Sequence, residues 1–314
     1  MLLFNAFSGV FTVFLVASLG FILRRKGWIS HETVTVLPRF ITVVVIPPFL
    51  LRSITSGFDR EQLLSLLSGA MVPMLALFAC FGLAVIIARL LNVRKGRRGC
   101  FAMAFVAANS LNVGLPVNIA LFGEGVIPYI LVYFIAGDVF FWTVGNYCIA
   151  RDVEHTRVKL FSLQTLKRVC SPPLVGFFLG MALVLLDIQL PAFVDKAFKY
   201  VGEMAVALLL IYIGIVIGEI NVKDLMPDRD AIVALIGKLL LCPLVVLGLA
   251  TVFSLPEMMR NVFVIQAGMP VMLTAAILTG YYKGDSAFMT LTAAISTLAI
   301  IVTAPFWAFC LGFL

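Results

Sequence analysis

Ala108-Asn109-Ser110-Leu111-Asn112-Val113-Gly114-Leu115-Pro116 breaks a long apolar run with two amides, a hydroxyl, a glycine and a proline. A second run is broken in the same way at Gln266-Ala267-Gly268-Met269-Pro270. Proline removes a backbone donor and clashes with the preceding turn. In hydrocarbon the carbonyls freed in this way need new partners, so a broken helix survives only where it is buried in protein or lines a cavity. One such segment in each half of a chain points to a transporter's binding site near the bilayer midplane.

The surrounding composition agrees with a membrane setting. The 314 residues are 62% hydrophobic and 12% charged, with a mean hydropathy of +1.11. Runs of about 20 apolar residues cross a bilayer as helices. Ten are read here, over 4–23, 38–56, 66–91, 99–122, 126–149, 169–187, 198–218, 231–253, 260–281 and 287–312. The runs are long and continuous, where a β-barrel needs short alternating ones. The loops are short and leave no room for a soluble domain.

The first span has no Lys or Arg before it and Arg24-Arg25-Lys26 after it, the reverse of a cleaved signal peptide. It is expected to be retained with its N-terminus outside. The alternate loops beginning with the first then hold 17 of the 23 Lys and Arg, and the opposite side holds five. That bias makes the +7 charge a topology signal and not a nucleic-acid signal, with both termini external and the basic loops cytoplasmic. The chain is expected to be an integral membrane protein. Arg94-Lys95-Gly96-Arg97-Arg98 reads as ordinary positive-inside anchoring.

The polar stretch 151–168 divides the spans five and five. Five is odd, so repeats 1–150 and 169–314 would sit in the membrane with opposite orientation. Pro73 and Pro116 in the first half answer Pro243 and Pro270 in the second.

Several residues stand out within the spans. Asn109, Ser110 and Asn112 are costly at membrane depth unless satisfied, and are read as substrate contacts at a helix interrupted near Gly114 and Pro116. Gln266 would face them from the second break, which Gly268 and Pro270 shape. The competing reading is helix–helix packing for the first segment and an ordinary kink for the second. Asp138 and Lys238 are ionisable residues well inside spans. Two roles stand open for them: a coupling-proton carrier, or fixed charges that neutralise helix ends. Pro47-Pro48 and Pro305 read as kinks. Glu203 reads as reaching the outer interface.

Other functions find less support. Cys80, Cys100, Cys148, Cys170, Cys242 and Cys310 have no zinc or redox spacing. His31 and His155 fall in loops. Zinc-peptidase, nucleophile-elbow and P-loop motifs are absent from the sequence, so no catalytic group, metal or resident cofactor is expected.

With these residues in view, the chain resembles the auxin efflux carrier family. Asn109 to Pro116 is similar to that family's Asn-Thr-x-x-x-Gly-x-Pro crossover, and Gln266 to Pro270 to its Gln-Ala-x-x-Pro crossover. Lys238-Leu239-Leu240-Leu241-Cys242-Pro243, Ile46-Pro47-Pro48-Phe49-Leu50 and Val302-Thr303-Ala304-Pro305 are similar to its spans 8, 2 and 10. The resemblance covers almost the whole chain. It implies an all-α fold of ten helices in two inverted five-helix repeats, like that of sodium/proton antiporters and bile-acid symporters. Spans 1, 2, 6 and 7 would form a dimerising scaffold, and spans 3–5 and 8–10 a mobile elevator domain. The implied substrate is a small organic anion, with its carboxylate on Asn109. Span 3 holds neither the acid nor the lysine that plant carriers place there, which favours a bacterial-type carrier of a small carboxylate such as malate or malonate over auxin. Coupling to H⁺ or Na⁺, a Na⁺-coupled symporter, a cation/proton antiporter and a membrane metabolite sensor stand as alternatives. The expected partners are the substrate, the lipid bilayer and a second copy of the chain, with no nucleic acid.

Overall fold

A computed structural model describes residues 2–30, 32–57, 69–153, 171–221 and 225–312. His31, Arg60, His155, Cys170, Lys223 and most of the 151–168 connection lie outside the described residues.

The described chain is helical. We number its helices α1 Leu2–Arg25, α2 Val36–Gly57, α3 Met71–Leu90, α4 Arg98–Val106, α5 Ser110–Phe122, α6 Glu124–Arg151, α7 Pro172–Leu185, α8 Ala192–Glu219, α9 Arg229–Val252, α10 Glu257–Ala267, α11 Leu273–Tyr281 and α12 Ser286–Cys310. Six of them, α2, α3, α6, α8, α9 and α12, are long and apolar enough to cross a bilayer. Large apolar side chains point outward: Leu15 is 53% exposed, Phe78 50% and Phe309 67%. That surface suits a lipid solvent. Among the described residues the only β feature is a single antiparallel bridge, Ala108 to Val271.

The chain forms two compact units, each drawing on both halves of the sequence. The first comprises 1–68, 115–128 and 170–220, and the second 69–114, 129–169 and 221–314. In the first unit α1 lies along α8. A Cβ on Gly20 would sit 2.0 Å from the Ile211 carbonyl oxygen, and one on Gly214 1.8 Å from that of Ala17. Only glycine permits backbones to approach so closely, and in lipid such close packing supplies much of the association energy. α2 meets α7 in the same manner, with Gly176 against Pro47 and Gly180 against Leu51. Arg24 pairs with Glu219, and Arg52 with Asp195 at 3.2 Å.

Among the described residues four π turns punctuate the helices, at Ile41–Val45, Ser110–Gly114, Phe141–Gly145 and Gly237–Leu241. Three of them end two residues before a proline: Pro47, Pro116 and Pro243. Proline cannot donate to the carbonyl four residues earlier, and a π turn is one local adjustment that re-satisfies freed backbone in lipid. The proline pair at 47–48, read from sequence as a kink, thus follows a widened turn.

In the second unit the ends of several helices are tied together by an ion cluster. The Arg97 guanidinium bonds Asp228, reaches Asp285 at 2.7 Å and Asp230 at 3.5 Å, and lies 4.7 Å over the Phe288 ring. Asp228 and Asp285 are themselves N-caps, accepting from Ala231 N at 2.9 Å and Phe288 N at 3.2 Å. Asp152 accepts from Gly99 N and Cys100 N at the start of α4. A carboxylate at a helix N-terminus satisfies orphan donors and opposes the positive end of the dipole. Arg97, read from sequence as part of an anchoring run, is therefore also a brace.

Candidate functional site: a backbone crossover held by a buried lysine

Both interrupted helices lose their helical path within the second unit, and the two breaks pair with each other. Asn109 N donates to Pro270 O at 2.8 Å, and Met272 N to Ala107 O at 3.2 Å. These bonds frame the Ala108–Val271 bridge. The reason for the second break is local. Pro270 cannot donate, and a residue before proline is driven out of the helical region, so α10 ends at Ala267.

The first break falls elsewhere than the sequence suggests. It lies at Ala107–Asn109, not near Gly114–Pro116. Gly114 and Pro116 are inside α5, within its first two turns. Pro116 follows the π turn Ser110–Gly114, the local adjustment that accommodates the carbonyl its missing N–H leaves unserved. Gly114 has a steric role: a Cβ there would stand 2.3 Å from Gln266 Oε1, so the Gln266 amide lies directly over the first turn of α5.

Three consecutive carbonyls at the end of α4 and just beyond it find donors outside the helix. Phe105 O accepts from Cys242 Sγ at 3.2 Å, Val106 O from Lys238 Nζ at 3.0 Å, and Ala107 O from Met272 N. Lys238 Nζ also donates to Ala267 O, the last residue of α10, at 2.9 Å. The lysine is wholly buried and caps two helix C-termini at once. A cation at a helix C-terminus is stabilised by the dipole and by the free carbonyls. Of the two roles open for Lys238, this geometry is that of helix-end neutralisation. Asp138 does not share it. It lies in α6, 6% exposed, with Trp142 one turn on as its hydrogen-bonded side-chain partner and with Oδ2 unpartnered.

The polar side chains at the crossover divide into partnered and unpartnered atoms. Gln266 is fully buried; its Nε2 makes a long contact to Ser110 O at 3.4 Å, and its Oε1 has no partner. Asn112 Oδ1 is likewise buried and unpartnered. Asn109 and Ser110 are 5% and 4% exposed. Asn109 also closes the first turn of α5, its carbonyl accepting from Val113 N at 3.3 Å and Gly114 N at 3.0 Å. Asn109, Ser110, Gly114, Gln266, Pro270 and Lys238 therefore come together. Gly268 packs against the Pro243 and Trp307 side chains, at 3.2 and 3.5 Å from a Cβ placed there.

Two supporting residues were not singled out from sequence, and a third has a role the sequence did not show. Ser296 Oγ accepts from Val271 N at 2.9 Å and so fixes the second break. Trp307 Nε1 donates at 2.8 Å to Leu239 O, the carbonyl that Pro243 cannot serve. Cys242, read as a small hydrophobe, is also a donor. Pro243 signals an unserved carbonyl, yet nothing local to it names a tryptophan 64 positions away.

Comparison with known proteins completes this picture. Residues 5–308 match the profile of a family described as membrane transport protein. Over 311 residues the chain is 23% identical to an uncharacterized transporter of Methanothermobacter thermautotrophicus, covering 98% of this chain and 99% of that protein. By class it is a membrane transport protein. Within that class the chain belongs to the auxin efflux carrier family.

Proposed function

We propose that this protein is a secondary transporter of a small organic anion, a mono- or dicarboxylate, working by alternating access. The observation that carries the proposal is the crossover. Two broken helices pair their backbones over a buried lysine and present largely buried amides, two of whose oxygens have no partner. A ligand that partners these atoms offsets a cost of about 1–3 kcal/mol for each one. Asn109, Ser110, Asn112 and Gln266 bind the substrate. Gly114, Pro116, Gly268 and Pro270 shape the backbone around it. Asp138 is the candidate for proton coupling.

The full architecture in this proposal is ten spans in two inverted repeats, with α4–α5 and α10–α11 as the broken pair. The second unit carries the substrate in an elevator motion, and the first, with α1, α2, α7 and α8, is the dimerising scaffold. The division of the chain supports that assignment for α1, α2, α7 and α8, which fall in the first unit together with residues 115–128 of α5 and α6. The protein resides in the inner membrane with its termini outside.

Uptake of labelled mono- and dicarboxylates into proteoliposomes, with and without H⁺ and Na⁺ gradients, tests the proposal. Asn109→Ala is expected to abolish substrate-induced thermal stabilisation in detergent while leaving the ligand-free melting temperature in place. Binding without accumulation would make the protein a sensor, and unchanged stabilisation would remove Asn109 from the site.

A further inference from the structure

We infer that the crossover is built to hold one net negative charge together with a hydrogen-bond donor. Its ligand is then a monocarboxylate bearing a hydroxyl, amide or un-ionised acid group, and not a dianion. The inference rests on the carboxylate reading above and narrows it.

The first argument is a charge count. A helix end carries about half a unit charge, negative at the C-terminus and positive at the N-terminus. The C-terminal ends of α4 and α10 together present about one negative charge. Lys238 bonds to both of them, at 3.0 and 2.9 Å, and supplies one positive charge. These contributions cancel. The N-terminal ends of α5 and α11 remain and sum to about one positive charge. α5 opens at Ser110, and Asn109 O is the acceptor that closes its first turn. Among the described residues no carboxylate hydrogen-bonds at the crossover, and the acid of α6, Asp138, is bonded to Trp142. One carboxylate completes the balance, whereas a second would be an uncompensated charge in a medium that penalises it heavily.

The second argument is independent of the dipoles. Gln266 is wholly buried, its amide lies over the first turn of α5, and Oε1 has no donor. Asn112, itself in the first turn of α5, also has a buried Oδ1 without a donor. These oxygens need a donor from the ligand. A second carboxylate offers only acceptors, while a hydroxyl, an amide or a protonated acid supplies what is missing.

The test compares succinate with its monoamide, succinamate, which has the same length, one charge fewer and an added donor. Apparent Kd values are measured on the purified full-length protein by thermal shift at pH 7.5 and 5.5, with malonate and malonamate as a shorter pair. The expected result is at least tenfold tighter binding of the monoamide at pH 7.5. Succinate should gain affinity at pH 5.5, and succinamate should not. Equal or tighter binding of succinate at pH 7.5 overturns the inference. If none of a broad panel of carboxylates binds, the carboxylate reading itself fails, and the inference with it.

Two variants check the charge count. Lys238→Gln keeps donors for the carbonyls and removes the charge. It is expected to weaken succinamate binding at least tenfold, and unchanged affinity in a folded variant overturns the count. Asn112→Lys places a second cation on α5 and is expected to swing preference toward succinate. An unaltered preference in that variant counts equally against the inference.

Discussion

Replacing Lys238 by methionine tests the central claim about how this fold tolerates two broken helices. Methionine is unbranched and apolar, so it fills the space without a donor. The variant strands Val106 O and Ala267 O, which accept from Nζ at 3.0 and 2.9 Å. An orphaned buried carbonyl costs about 1–3 kcal/mol, so the pair costs about 2–6 kcal/mol. The upper part of that range is a large fraction of a typical domain's 5–15 kcal/mol, and the variant is expected to be folded but marginal. Burial supports the estimate, since Lys238 and Ala267 are 0% exposed and Val106 1%. The assay is chemical unfolding in mild detergent followed by circular dichroism, with Lys238→Arg alongside. Arginine retains donors and charge but must fit a larger planar group, so it should fall between wild type and methionine. A methionine variant within about 0.5 kcal/mol of wild type, the ordinary scatter of inconsequential substitutions, would refute the reasoning. The lysine would then be a bystander to the crossover.

Three further outcomes are expected. Trp307→Phe removes the donor to Leu239 O and should cost about 1–3 kcal/mol in the same unfolding assay, with no change if the carbonyl is otherwise served. Gly99→Ala drives a Cβ to 2.1 Å from the Cys148 carbonyl, a backbone atom that cannot rotate away, and should lower the melting temperature by the equivalent of about 1–3 kcal/mol or more; Gly248→Ala, with nothing within 4 Å, should be neutral. Arg97→Ala deprives Asp228, Asp230 and Asp285 of their shared cation. It should cost roughly 1–3 kcal/mol, less than a sealed pair because the Asp228 side chain is half exposed.

The Arg97 cluster also fixes the sign of an acid dependence. Burial acts to raise the Asp228 carboxyl, and the hydrogen bonds from Ala231 N and Arg97 outweigh it and hold it below its ordinary value. Asp285 follows the same pattern, burial being outweighed by Arg97, Arg94 and Phe288 N. Both folded values lie below the unfolded ones. Their stabilisation is therefore present above the unfolded carboxylate range, near pH 4, and is lost as pH falls through the folded values. Melting temperature measured from pH 6 down to pH 3 should drop less steeply in Arg97→Ala than in wild type. Parallel curves would disconnect the cluster from acid stability.

The sequence alone determined that this chain lives in a membrane and breaks two of its helices. Those properties are carried by each segment's own atoms: apolar length suits a segment to a bilayer, and Gly268 with Pro270 ends a helix whatever surrounds it. The family was equally legible, because its motifs sit at the breaks. What the sequence placed wrongly was the first break, by several residues. Pro116 is accommodated inside α5 behind a π turn, and only the pairing of Asn109 N with Pro270 O and of Ala107 O with Met272 N fixes where α4 stops. The role of Lys238 was open for a similar reason. Its two acceptors lie 132 and 29 positions away in sequence, and Trp307 finds Leu239 across 68. A local pattern states that a carbonyl or an ammonium needs a partner. Which partner it receives is decided by which helices the tertiary structure brings within about 3 Å, the reach of a hydrogen bond.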